Sequence, residues 1–197
     1  MRAGWQIVLF AMSDLHPNTT RPPDDISPEG LARLSVEKFI GEGITISPPQ
    51  HPAGVLAQRA GTFVTLKTLA GDLRGCMGTT EPAHTTVAEE IIQNAISSAT
   101  RDPRFPRVAV GELADLTYGV DVLSPPEPVL GPEDLDALRF GVIIETPDAH
   151  RRALLLPGIE GIDTVDQQWR AVHQKAGIRV GEKVRVERFT VTRFGKD

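Results

Sequence analysis

Residues Thr62–Thr80 read TFVTLKTLAGDLRGCMGTT, and this stretch decides the architecture. Its opening, TFVTLK, is dense in β-branched and aromatic side chains. Ala70-Gly71-Asp72 then supplies a turn, and Leu73 to Met77 resumes an extended run. The pattern predicts a β-hairpin, hence antiparallel pairing.

On the C-terminal side of the hairpin, Thr86 and Glu89 form a capping box. Val87, Ile91, Ala95 and Ala99, with Ile92 and Ile96 beside them, make an apolar stripe that predicts a helix over roughly 86 to 100. Its small alanine face suits close packing on a sheet. The prolines of RDPRFP, residues 101–106, end that helix, because proline disfavours helical geometry in the residue before it. On the N-terminal side, Ser27 and Pro28 read as N-cap and first helical residue, with Ala32, Val36, Phe39 and Ile40 at helical spacing before Gly41 and Gly43.

Further along, Leu116, Tyr118, Val120 and Val122 alternate as a strand, and SPPEPVLGP (124–132) reads as a rigid loop. RFGVIIE (139–145) and ALLL (153–156) predict two strands paired across TPDAHRR. Thr164 and Gln167 form a second capping box for a helix over 165–176 that stops at Gly177. In KVRVERFTVTRF the alternation changes phase, which predicts a bulge near Glu187. Strands and helices do not alternate regularly. The fold class is therefore α+β, a mainly antiparallel sheet flanked by about three main helices.

The composition fits one ordinary globular domain. Of 197 residues, 40% are hydrophobic and 24% charged, and 16 prolines with 18 glycines imply many turns. A net charge of −5 excludes a general nucleic-acid binder, which needs a concentrated basic face. No apolar run approaches the roughly 18 residues of a membrane-spanning helix. The nearest, WQIVLFAM (5–12), has the outline of a weak signal peptide. The plainer reading takes Met12 as the true start. Residues 1–26, with the polar, proline-bearing text SDLHPNTTRPPDD, read as a leader, and the folded domain is expected over 27–197.

The single cysteine, Cys76, excludes an intramolecular disulfide and fits a reducing cytoplasm. The five histidines show no paired spacing, so no metal motif and no cofactor can be read. In an extended segment alternate side chains share a face, which would place Arg74 beside Cys76 and send Leu73 and Met77 the other way. A fixed positive charge beside sulfur favours the thiolate, the nucleophilic and metal-binding form. Gly75 and Gly78 clear space for a backbone or ligand. The plainer alternative is a small apolar filler, since cysteine is among the most buried residue types. Asp102 and Arg104 form a carboxylate–guanidinium pair that can brace itself or receive an anionic ligand. Phe105 is expected to anchor its loop in apolar surroundings. His84, the histidine nearest Cys76 in sequence, is a candidate base, and a solvated residue before the helix otherwise.

Together GTFVTLK, LRGCMGT, NAISSATRDPRFP, DVLSPPEP, RFGVIIE, LLLPGIEGIDT and QKAGI resemble the AMMECR-one domain family over about residues 28 to 197. Met77 is a mild departure where another aliphatic residue is usual. The resemblance implies two lobes with a cleft near the LRGC segment, carried over as Arg74, Gly75, Cys76 and Gly78. Asp102, Pro103, Arg104 and Phe105 match the second signature. Bacterial relatives look like component A of the AmmeMemoRadiSam system, which implies Memo-like and radical SAM proteins as partners. Two functions follow as expectations. One is an enzyme or catalytic subunit using Cys76, with Arg74 and with Asp102 or His84 assisting. The other is a non-catalytic accessory protein whose cleft binds a partner chain or small molecule.

Overall fold

The computed structural model describes residues 21–195, so WQIVLFAM and most of the leader lie outside the described residues. At the leader's C-terminal end, Pro22 is buried, Ile26 packs against the core, and Asp24 accepts hydrogen bonds from the His51 backbone and ring. Among the described residues, three α-helices, α1 (Pro28–Glu42), α2 (Val87–Thr100) and α3 (Val165–Ala176), accompany eight strands arranged in two antiparallel four-stranded sheets.

All three helices begin where their caps dictate. Ser27 accepts from the Gly30 N–H, and the Thr86/Glu89 and Thr164/Gln167 boxes both close. α1 and α3 end on Gly43 and Gly177, whose positive φ (73° and 65°) suits glycine.

The first sheet contains β1 (Thr62–Thr68), β2 (Leu73–Gly78), β3 (Leu116–Leu123) and β8 (Val191–Phe194), in the order β2-β1-β3-β8. α1 and α2 cover one of its faces. Val64, Leu66, Tyr118 and Val120 are buried against Leu31, Val36, Ile91 and Ala95 there. The second sheet contains β4 (Glu127–Val129), β5 (Gly141–Glu145), β6 (Arg152–Leu155) and β7 (Arg185–Phe189), in the order β4-β7-β5-β6. It has its own core with α3, centred on Val142, Ile144, Leu155 and Val172. A smaller cluster, Leu123, Ile143, Leu154 and Phe189, joins the two.

Two expectations are corrected. The phase change in KVRVERFTVTRF is a change of sheet, not a bulge: β7 belongs to the second sheet, β8 to the first, and Thr190 is the crossing residue. Ser124 meets it there through Ser124 N–H to Thr190 O and Thr190 N–H to Ser124 Oγ, both 2.9 Å. The SPPEPVLGP loop contains a strand, because β4 pairs with β7 at Glu127↔Arg188 and Val129↔Val186. Its prolines fit because β4 is an edge strand, where a missing N–H costs no ladder bond.

Candidate functional site

The β1–β2 hairpin sets the position of Cys76. Thr65 pairs with Cys76 and Leu66 with Gly75, but the next pair is Lys67 with Leu73. Arg74 is therefore the unpaired residue of a β-bulge, and alternation fails at that point. Consequently Leu73, not Arg74, joins Cys76 on the open face of the sheet. The expected Arg74–Cys76 neighbourhood is corrected. The Arg74 guanidinium, 12% exposed, pairs with Glu112 (2.7 and 3.0 Å) and donates to the Pro106 carbonyl. It holds the Glu112 carboxyl below the ordinary range.

The face of β2 turned towards α2 is fully used by the protein. On that face a side chain at Gly75 would stand 2.3 Å from the Ser98 carbonyl. Gly78, which shares the other face with Cys76 and pairs with Phe63, would meet the Thr62 carbonyl at 2.3 Å and the Phe63 ring at 2.4 Å. The close approach at both glycines is therefore to other parts of the chain itself, backbone at Gly75 and backbone with the Phe63 ring at Gly78. Ser98 fastens the layers by donating to the Val64 carbonyl and accepting from the Met77 N–H.

On the opposite face lies a groove of about 460 Å³ whose floor includes Thr65, Lys67, Cys76, Thr117 and Gly119. Arg104 closes one side, and Leu156, Ile159 and Glu160, which follow β6, line another. Cys76 is half-buried, and the Thr65 hydroxyl donates to its sulfur at 3.3 Å. Arg193 reaches in from β8, pairs with Asp121 at 3.2 Å and donates to the Pro157 carbonyl.

Asp102 positions this site from behind. Its side chain is 2% exposed, whereas that of Arg104 is 54% exposed. One carboxylate oxygen accepts from the Arg104 N–H and Nε, the other from Arg104 Nη2 (2.7 Å) and the Cys76 N–H (2.8 Å). These bonds, the Arg104 guanidinium foremost, hold its carboxyl well below the ordinary carboxylate range. Both oxygens are occupied, so Asp102 orients the groove and is not free to take a proton. The cation beside Cys76 is thus Arg104, whose Nη2 also approaches the Cys76 carbonyl at 3.4 Å.

Phe105 departs from its expected apolar pocket. It is half-buried, with the Arg74 and Arg104 guanidinium carbons 5.9 and 5.5 Å from its ring centre, so the loop is held by cation–π contacts. His84 does not line the groove. It sits in the loop before α2, where its N–H donates to the buried Glu90 carboxylate, which also accepts from Thr79. Among the described residues, no group of three or more His, Cys, Asp or Glu side chains is placed to hold a metal ion. No helix among them is long and apolar enough to cross a membrane.

Sequence reasoning missed Thr65, Lys67, Asp121, Glu160 and Arg193. Thr65 and Lys67 were within reach of it, since they alternate with the apolar Val64 and Leu66 on a strand already paired with the cysteine strand. Glu160 and Arg193 arrive from distant segments that only the tertiary fold brings close.

The AMMECR1 family model matches residues 30–194, nearly all of this structure. The chain belongs to the AMMECR1 family. A Thermotoga maritima protein is 47% identical over 161 residues, spanning 81% of this chain and 91% of its own length. A Clostridium acetobutylicum protein is 41% identical over 165 residues, 83% of this chain, but the AMMECR1 match covers only 34% of that longer protein. The crystal structure of an uncharacterized Pyrococcus horikoshii protein superposes with a TM-score of 0.77 at 32% identity, covering 86% of this chain and 90% of that one. The AMMECR1 fold is therefore shared with a solved structure.

Proposed function

We propose that this AMMECR1 domain is a cleft-bearing component of a cytoplasmic pathway that also uses Memo-like and radical SAM proteins, and that its Cys76 thiol acts on a molecule held in the groove. One observation carries the reading. The sulfur lies on the open face of β2 with a hydroxyl donor beside it, while the backbone N–H of the same residue is pinned by a buried carboxylate. A packing cysteine belongs on the other face, among Val64, Leu66 and α2, where Gly75 already meets the Ser98 carbonyl. The longer Clostridium relative, in which this region is one third of the chain, supports work beside other protein modules.

A second reading, a non-catalytic accessory protein, draws on a different observation: the carboxylate nearest Cys76 is fully engaged, so the sulfur lacks a free base. One experiment separates the two. The purified protein and its Cys76→Ala variant are each mixed with the Memo-like and radical SAM proteins of the same organism and a small-molecule extract, then followed by co-elution and intact mass. The thiol reading expects an added mass on the wild type that is absent from the variant. Co-elution of both forms with no added mass favours the accessory reading, and failure of both forms to co-elute removes the proposed partners.

A further inference from the structure

The charges lining the groove are not all settled internally. Arg193 is paired with Asp121, and Arg104 with Asp102. Lys67 lines the same groove and its ammonium makes no hydrogen bond or ion pair among the described residues. Arg104 spends Nε and Nη2 on Asp102 and the Cys76 carbonyl, which leaves Nη1 as a donor on a half-exposed guanidinium. Glu160 is an exposed residue on a different wall, contributed from beyond β6. Gly119, beside Thr65 on the floor, presents no side chain, and a Cβ there would meet only the Phe194 carbonyl at 3.9 Å. Leu73, Leu156 and Ile159 supply apolar lining.

From this arrangement we infer that the groove contains an oxyanion subsite, in which Lys67 Nζ and Arg104 Nη1 receive the carboxylate or phosphate group of a small molecule whose apolar body rests on Leu73, Leu156 and Ile159. The inference rests on the reading that Cys76 is a working thiol, and it names the class of molecule that the thiol meets. A lysine supplies a mobile point charge and an arginine a fixed donor, so together they suit either oxyanion. The partly enclosed groove strengthens both contacts relative to open water.

Two alkylating reagents of nearly equal size test the subsite. In both, sulfur forms a bond to carbon as the carbon–iodine bond breaks, iodide leaves, and the thiol proton passes to buffer. Iodoacetate carries the carboxylate, whereas iodoacetamide is neutral. The measured quantity is the ratio of their rates at Cys76, divided by the same ratio for glutathione. A value of about five or more is expected for the wild type, the scale of one partly screened charge contact. Lys67→Met should bring it towards one, and Lys67→Glu below one. Protection by inorganic phosphate or by acetate in separate arms identifies the preferred oxyanion. A wild-type value near one, with Cys76 reacting readily with iodoacetamide, overturns the subsite and leaves the thiol reading intact. A native protein that resists both reagents overturns the thiol reading and the subsite with it. Lys67 is a strand-face residue outside the hydrophobic clusters, so its variants should fold, which circular dichroism checks.

Discussion

At the scale of single residues, the determinant of the site is Asp102, a buried carboxylate that fixes the Arg104 side chain and the Cys76 backbone together. Its carboxyl is held below its unfolded value of about 4, so its contribution to stability is fully present above that pH and is lost as pH falls through the lower, folded value. Urea midpoints measured from neutral pH downward should therefore fall more steeply below about pH 4 in the wild type than in Asp102→Asn. Parallel curves for the two proteins would show that Asp102 is not the acid-sensitive brace. The residue types of this site were legible in LRGC and RDPRF, but their partnership was not. Strand alternation assigned Arg74 to Cys76, and a single unpaired residue in the β1–β2 ladder reassigned that place to Leu73, with Arg104 arriving from a loop. Nothing in the local sequence announces such a bulge, because Arg74 is extended in either register.

At the scale of elements, α2 and the hairpin form one unit joined by backbone proximity. Gly75 lies under Ser98 with no room for a methyl group, so Gly75→Ala forces β2 away from α2. The neighbour is a helix carbonyl that cannot rotate aside, and the substitution should cost about 2 kcal/mol or more, read as a drop in melting temperature. An unchanged melting temperature would mean that the helix moves freely over the strand. The helices themselves were legible almost to the residue, since Ser27, Thr86 and Thr164 state their starts and Gly43 and Gly177 two of their ends. β4 was hidden because three prolines in SPPEP mask a short edge strand, and the β7–β8 passage was read as a bulge because both devices shift alternation by one residue.

At the scale of the whole molecule, two sheets with separate cores are tied by Phe189, which packs with Leu123, Ile143 and Leu154 and stacks over Gly141, where a Cβ would meet its ring at 2.2 Å. Phe189 is 2% exposed, and Phe189→Ala should cost about 3 kcal/mol or more. Calorimetry should show one unfolding transition in the wild type and a split or broadened one in the variant, because the joint between the cores is weakened. A single sharp transition in the variant would show that the crossings at Ser124 and Thr190 suffice. The groove depends on this joint, since Cys76 and Arg104 come from one half and Leu156, Ile159 and Glu160 from the other.

The central claim is that Cys76 is an accessible thiol governed by Arg104 and not by Arg74. The direct measurement is the rate of iodoacetamide alkylation of the native protein, wild type against Arg104→Gln and Arg74→Gln, at one pH near neutrality. The account predicts modification of the folded wild type, a fall of about three-fold or more in Arg104→Gln, and little change in Arg74→Gln. A thiol that reacts only after unfolding, or one slowed by loss of Arg74 and indifferent to loss of Arg104, would contradict it.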